Sequence, residues 1–316
     1  MHERRSTKAG MAVVVVIAAV MLLAGCGSSS NTEDAASNES VDTTEVVDTT
    51  VVLAPEDADS TATAVDAGGT SGNPAQTPSP TTSPTPTAAP YVPRPITPGL
   101  AGKVIVIDAG HNGGNYSHSN EINQLVDAGN GVTKQCDTTG TGSFDGYPEY
   151  EFTLSVAQEL RATLQVAGAQ VVMVRSDSSG WGPCITERAR IGNDARADLA
   201  ISIHGDGNDT AGARGFHVLV PVATSQNAAM VPNAQRFGTL MRDAFGATGM
   251  PVSNYLGSNG VMYRGDLGGL NLSVVPKVFI ECGNMHNSAD LALMRSGTFQ
   301  RNAANAIATA MGQFFG

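Results

Sequence analysis

Two histidines and two glutamates stand out in this sequence because of the residues around them. His111, His204 and Glu281 each come at or just after the end of a short apolar run, and Glu149 begins a pattern of helical period. Two imidazoles and one carboxylate, with a water molecule in the fourth position, make a tetrahedral catalytic zinc site. The remaining carboxylate is then free to move protons. The chemistry that these residue types predict is metal-assisted hydrolysis.

Each of these residues also has an ordinary explanation. A single histidine after a strand is more often a hydrogen-bonded loop residue than a metal ligand. A glutamate such as Glu149 at the start of a helix commonly complements the helix dipole and does nothing else. Glu281, after three apolar residues, is also compatible with the point at which a strand leaves the core. The residue types and their spacing alone therefore leave the metal site open.

The elements that must position these residues alternate along the chain. Short apolar runs predict buried strands, and apolar residues at helical spacing predict helices. Strands are expected at 103–108, 170–175, 199–204, 215–220 and 278–281, and helices at 149–167, 185–197, 231–247 and 298–315. This alternation predicts an α/β fold of the hydrolase or phosphorylase type, with a mostly parallel twisted sheet and helices on both faces. In such sheets, sites form at the carboxyl edge, where the strand ends would bring these side chains together.

The first 98 residues predict export and a tether rather than a folded domain. Three basic residues precede an apolar run at 11–23, which is shorter than the roughly 20 residues needed to span a bilayer, so residues 1–26 are expected to be a secretory signal. The residues up to Cys26 resemble a bacterial lipobox, which implies a lipid anchor at Cys26 and a position on the outer face of the cytoplasmic membrane, facing the cell wall. A cleaved signal in which Cys26 is incidental is the alternative.

Composition separates this tether from the rest of the chain. Residues 27–98 are rich in Ser, Thr, Pro and acidic residues, and such a segment cannot bury enough apolar surface to offset its ordering entropy. It is expected to be disordered, leaving residues 99–316 as the catalytic domain. The net charge of −11 makes the chain a poor partner for phosphate polyanions, so no nucleic-acid binding is expected. We expect a monomer.

Four short motifs, taken in order, resemble a known family. They are Asp-Ala-Gly-His at 108–111, Gly-Tyr-Pro-Glu at 146–149, Ser-Ile-His at 202–204 and Phe-Ile-Glu-Cys-Gly-Asn at 279–284. This order is similar to that of the zinc-dependent N-acetylmuramoyl-L-alanine amidases of the amidase-3 family, in particular its minimal actinobacterial branch.

The resemblance implies a role for each of the four residues. It implies that His111, Glu149 and His204 hold one zinc ion (Zn2+) per domain and that Glu281 is the catalytic carboxylate. The implied substrate is peptidoglycan or a muropeptide, cut at the amide between the lactyl group of muramic acid and L-alanine.

Two other functions remain open beside the amidase. One is a non-catalytic lipoprotein of the wall that binds muropeptides, and the other is a zinc peptidase that cuts within the stem peptide. Glu151 competes with Glu149 for the ligand role, but the family pattern selects Glu149. A helix turns about 200° in two residues, so the two glutamates cannot both face the metal.

The remaining cysteines fit an oxidising compartment. With Cys26 lipidated, Cys136 and Cys184 lie in polar, loop-like segments, and a disulfide between them would pin the insertion at 112–148. Two free thiols are the alternative. Cys282 follows an apolar run and is expected to be a small core residue. No long extra segment stands between His204 and Glu281, so we expect an enzyme without a built-in plug. The sequence leaves open whether the insertion at 112–148 gates the site.

Overall fold

The computed structural model describes residues 97–316. The signal segment, Cys26 and almost all of the tether, for which the sequence predicts export and lipidation, lie outside the described residues. In the part of the chain that is described, no helix is both long enough and apolar enough to cross a membrane.

A six-stranded sheet forms the centre of the domain. A separate two-stranded hairpin lies within the insertion at 112–148, which follows the first strand of the large sheet. The strands are β1 (Val104–Ala109), β2 (Leu125–Asp127), β3 (Thr133–Gln135), β4 (Gln170–Met173), β5 (Leu199–Asp206), β6 (His217–Pro221), β7 (Val261–Arg264) and β8 (Lys277–Asn284). The order in the large sheet is β4-β1-β5-β8-β6-β7, and β2 pairs with β3. Strands β4, β1, β5 and β8 are parallel to one another. Strand β6 runs antiparallel to β8, and β7 is parallel to β6. The predicted mostly parallel α/β sheet is confirmed.

Helices cover both faces of this sheet. They are α1 (Ser119–Ile122), α2 (Glu149–Val166), α3 (Ile185–Asp194), α4 (Val231–Phe245), α5 (Gly268–Asn271), α6 (Ser288–Met294) and α7 (Gly297–Phe315). The main apolar core lies between the sheet and helices α2, α4 and α7, and α7 also packs on both α2 and α4. A small second core, which includes Val106, Ala200 and Val275, lies on the opposite face beside α3.

Successive residues of each strand point to opposite faces, and this alternation separates two kinds of chemistry. On the main-core face, β5 and β8 carry fully buried aliphatic side chains, including Ile201, Ile203 and Ile280. On the other face, the same strands carry polar and charged residues, which are Ser202, His204, Lys277 and Glu281. The register pairs Ser202 with Phe279 and His204 with Glu281. Ser202, His204, Phe279 and Glu281 therefore share one face of the sheet.

The structure corrects the expected ends of two strands. His204 and Glu281 do not end their strands, because β5 continues to Asp206 and β8 to Asn284. A register shift between His204 and Asp206 lets β5 continue beside β8 past the site. Strand β7, the hairpin β2–β3 and the short helices α1, α5 and α6 were not predicted. They are only 3–7 residues long, too short to show a clear period.

Candidate active site

Four side chains from four elements meet at the carboxyl edge of the parallel strands. His111 follows β1, Glu149 is the first residue of α2, His204 lies in β5 and Glu281 lies opposite His204 in β8. Pro148 precedes α2 in an extended conformation and starts the helix at Glu149. Glu149 is therefore buried at the helix start, whereas Glu151 in the same turn is exposed. The choice of Glu149 over Glu151 thus agrees with the geometry of the helix.

Three of these residues form a cluster that can hold a metal ion. One ligand atom from each of His111, Glu149 and His204 lies within 4.8 Å of the other two. The Nε2 atom of His111 lies 3.3 Å from Oε2 of Glu149, and Nδ1 of His204 lies 2.9 Å from Oε1 of Glu149. The two imidazole rings are nearly perpendicular, with centroids 5.0 Å apart. Such a donor set of two imidazoles and one carboxylate suits a zinc ion.

Glycines make room for the ligands. A Cβ atom on Gly110 would lie 2.3 Å from the His204 ring, and one on Gly140 would lie 2.7 Å from the His111 ring. His111 itself has a φ of 55°, in the left-handed region that non-glycine residues seldom adopt. In this conformation, Nε2 of His111 faces the carboxylate of Glu149.

The electrostatics of the cluster favour a cation. Burial alone would lower the pKa of His111, but the carboxylates of Glu149 and Asp137 raise it to about 10. For Glu149 the directions are reversed: burial alone would raise its pKa, but the charges and hydrogen bonds of His111 and His204 hold the pKa well below its usual value. The same field that attracts a proton to this imidazole attracts a divalent cation. The residues present therefore fit a metal ion.

Glu281 stands apart from the three candidate ligands. Its Oε2 atom is buried and has no hydrogen-bond partner among the described residues. Burial, and after it the negative charges of Glu149 and Asp206, raises the pKa of Glu281 well above its usual value. A carboxylate in this environment takes up a proton readily and can donate it again, which is the property required of a general acid–base.

Buried charges surround the base of the site on the same face of the sheet. Arg188 from α3 donates hydrogen bonds to Asp108 (2.7 Å) and to Asp137 (2.8 Å). Lys277 and Ser202 complete the partners of Asp108, at 3.1 and 2.7 Å. Arg188 thus forms a buried structural ion pair with two carboxylates. Asp137 was not predicted, and the only signal in the sequence was its position next to Cys136.

Three cysteines and two further histidines lie near the site. Cys136 and Cys184 are joined by a disulfide bond, which links the insertion to the start of α3. Cys282 is a free, buried thiol. His217 is buried on β6 directly opposite Glu281, and its Nδ1 atom has no partner among the described residues. His286 contacts the insertion through the carbonyl oxygen of Gly142, at 3.0 Å.

Two cavities adjoin the cluster. A cavity of about 230 Å³ contacts all four residues, so the segment at 112–148 does not seal them off. A larger cavity of about 510 Å³ extends from His111 and His204 between the hairpin β2–β3 and helix α5. Leu125, Ile185, Leu267 and Phe279 give part of this larger cavity an apolar lining. The insertion thus forms one wall of an open groove that leads to the candidate metal site.

Fold and site together define an α/β protein with a candidate metal site at the carboxyl edge of its sheet, and comparison with known proteins is more specific. The profile of the Amidase_3 family, described as N-acetylmuramoyl-L-alanine amidase, matches residues 105–313. The chain is 40% identical over 215 residues to the N-acetylmuramoyl-L-alanine amidase Rv3717 of Mycobacterium tuberculosis, covering 68% of this chain and 87% of that protein.

Solved structures agree with this comparison. The amidase Ami1 of Mycobacterium smegmatis has a TM-score of 0.65 and 39% identity, over 68% of this chain and 98% of that one. Ami1 of Mycobacterium abscessus has a TM-score of 0.65 and 40% identity, over 68% of this chain and 100% of that one. The chain belongs to the Amidase_3 family of N-acetylmuramoyl-L-alanine amidases. The expectation of an enzyme that hydrolyses this amide of peptidoglycan is confirmed.

Proposed function

We propose that this amidase uses zinc, held by His111, Glu149 and His204, and that Glu281 is its catalytic carboxylate. The observation that carries the proposal is the meeting of three candidate ligands within 4.8 Å, next to a glutamate with an unpartnered buried oxygen. Two imidazoles and one carboxylate are a donor set that catalytic zinc sites use, whereas hard cations such as Mg²⁺ prefer oxygen ligands.

Each residue then has a defined task. When bound, zinc lowers the pKa of a water molecule toward about 7 and polarises a carbonyl group. Glu281 accepts a proton from the attacking water through its carboxylate and delivers it to the amine of L-alanine as the carbon–nitrogen bond breaks. The raised pKa of Glu281 suits this transfer, because it makes the carboxylate a stronger base toward the proton of the attacking water. The products are a lactyl carboxylate and a free amino terminus on the stem peptide.

The test uses the full chain, purified in detergent and loaded with zinc, and incubated with purified muropeptides. We expect mass spectrometry to show loss of the lactyl–alanine bond, and a chelator to stop turnover until zinc is restored. Glu281→Gln should lower kcat by about 10²–10⁴-fold while zinc remains bound, since general acid–base catalysis contributes about this much.

Glu151→Gln is the matched control for this variant. It removes a carboxylate from the first turn of α2 at an exposed position, and it should leave kcat unchanged. Cleavage within the stem peptide would identify a zinc peptidase. Binding of muropeptides without turnover would identify a non-catalytic wall protein. Full activity in Glu281→Gln would contradict the proposed mechanism.

We also propose that the chain is exported, lipidated at Cys26 and held as a monomer on the outer face of the cytoplasmic membrane. The support is the basic and apolar character of residues 1–26 and the composition of residues 27–98. Metabolic labelling with a fatty-acid analogue should mark the wild-type protein and not the Cys26→Ala variant. Equal labelling of both proteins, or recovery of the wild type in the cytoplasm, would contradict this placement.

A further inference from the structure

The edge of the His111 ring that faces away from Glu149 is enclosed by oxygen atoms. Nδ1 lies 3.1 Å from the carbonyl oxygen of Thr138, 3.2 Å from its hydroxyl oxygen and 3.4 Å from Oδ1 of Asp137. A carbonyl and a carboxylate only accept hydrogen bonds, so these contacts require a hydrogen atom on Nδ1. The lone pair of the neutral ring then lies on Nε2, the atom that faces Glu149 at 3.3 Å.

Asp137 organises these oxygen atoms. Its Oδ1 atom accepts a hydrogen bond from the backbone N–H of Thr138, at 2.8 Å, and its Oδ2 atom accepts one from Arg188, also at 2.8 Å. The Thr138 carbonyl is further fixed by the side-chain amide of Asn115, at 2.7 Å. Asp137 is only 5% exposed, so water competes little for these bonds. The carboxylate therefore lies against His111 and also binds the backbone N–H of Thr138, the residue whose carbonyl His111 contacts.

Asp137 is itself held from two sides. The preceding residue is joined to Cys184 by the disulfide bond, and its carbonyl oxygen accepts the N–H of Ile185 at 2.7 Å. Arg188 connects Asp137 to Asp108 at the end of β1. The position of this carboxylate is therefore set by the disulfide bond and by α3, and not by the insertion alone.

We propose that Asp137 is a positioning residue for His111, whose carboxylate keeps the imidazole in the Nδ1–H form with Nε2 toward the metal, and so sets how tightly the site holds zinc. Carboxylates that accept a hydrogen bond from a ligating histidine fix its tautomer and raise its basicity. The inference rests on the proposed function only in taking zinc as the metal.

Zinc affinity is the first test, because it is measured without any turnover. The full chain is titrated with zinc in competition with a chromophoric chelator, and its dissociation constant is compared with that of Asp137→Asn. We expect the constant to rise about 10–100-fold, the usual effect of removing such a partner. An unchanged dissociation constant in Asp137→Asn would overturn the proposal.

Asp108→Asn is the matched control. It removes the other carboxylate partner of Arg188, and the side chains that Asp108 bonds within the described residues are Arg188, Ser202 and Lys277. In this variant Arg188 keeps its bonds to Asp137 and to the carbonyl oxygens of Ala109, Gly182 and Pro183. Zinc affinity should therefore change less than about threefold, even where urea denaturation shows both variants to be destabilised. A loss of affinity in Asp108→Asn as large as in Asp137→Asn would attribute the effect to the buried charges in general, and the proposal would fail.

The protonation of the ring provides a second readout that needs no variant of Asp137 to fold. Nitrogen-15 NMR of histidine-labelled, zinc-loaded wild-type chain should show the His111 ring protonated at Nδ1, the signal being assigned by its loss in His111→Gln. A ring protonated at Nε2 would overturn the proposal. Neither measurement uses muropeptides, so failure of this inference and failure of the amidase mechanism are distinguishable.

Discussion

The two faces of the central sheet are built from alternate residues of the same strands, yet they differ in almost every property. In β5, Ile201 and Ile203 point into the main core and are fully buried. Ser202 and His204, one residue away from each, point to the opposite face, toward buried charges and the candidate metal site. Because the strand period is two, a single strand can contribute to the apolar core on one side and to chemistry on the other.

The charged face depends on complete pairing in a way that the apolar face does not. Asp108, Arg188 and Lys277 are at most 6% exposed, and all three are joined in one network. Burial alone would raise the pKa of Asp108, but Lys277 and Arg188 lower it far below its usual value. A buried charge that loses its partner is strongly destabilising, whereas a missing methyl group leaves only a small cavity. Perturbations should therefore have different consequences on the two faces.

The largest expected effect is on the charged face. Arg188→Gln leaves Asp108 and Asp137 without their guanidinium partner and should lower the free energy of unfolding by about 3–5 kcal/mol, measured by urea denaturation. Arg190→Gln is the matched control on the same helix, because the Arg190 side chain is 59% exposed where it pairs with Glu187 and Asp194. Its urea midpoint should match that of the wild type. Equal destabilisation of the two variants would contradict the importance given to burial.

The next effect concerns the site itself. Gly110→Ala places a Cβ atom 2.3 Å from the His204 ring and must displace this candidate ligand. Because a misplacement of about 1 Å can cost about 100-fold in rate, we expect kcat/KM on muropeptides to fall by about that factor. Gly246→Ala, where a Cβ atom meets nothing within 4 Å, should keep wild-type kcat/KM. A fully active Gly110→Ala enzyme would show that His204 is not held as tightly as the structure indicates.

A pH titration sharpens the comparison without altering the shape of either face. Asp108 has a depressed pKa in the folded state, so its stabilising effect is present above its unfolded pKa of about 3.9 and is lost as the pH falls below that value. The difference in unfolding free energy between wild type and Asp108→Asn should be largest near pH 7. It should shrink below pH 4, by at most about 1.4 kcal/mol per pH unit. A difference that stays constant down to pH 3 would contradict this assignment.

The smallest effect is expected on the apolar face. Ile201→Val removes one methyl group from a fully buried side chain and should cost about 0.5–1.5 kcal/mol in unfolding free energy. The kcat of the folded enzyme should not change, although Ile201 is next to Ser202 in the chain. A change in kcat larger than twofold would show that the two faces are coupled.

Much of this architecture could be predicted from local sequence patterns. The apolar run at 199–203 predicted β5, and the helical stripe after Pro148 predicted α2 to within one residue of its end. The family motifs selected Glu149 rather than Glu151, and the structure buries the first and exposes the second. These features depend on residues close together in the chain, where strand and helix periods can be read directly.

Other features could not be predicted because they depend on pairing between distant segments. The antiparallel direction of β6 follows from its pairing with β8, about 60 residues later, and nothing within residues 215–220 specifies it. The continuation of β5 past His204 depends on a register shift against β8. The hairpin β2–β3 consists of two three-residue strands that are largely exposed, so neither has an apolar pattern to detect.

The sequence by itself determined which residue types are available for chemistry, the order of the elements that carry them and the family to which the chain belongs. Only the tertiary structure decided that His111, Glu149 and His204 face one another, and that Asp137 lies against the far side of His111, 26 positions away in the chain. The physical reason is that a local pattern specifies which face of an element is apolar. Distances between side chains of different elements are set by the packing of the whole sheet and its helices.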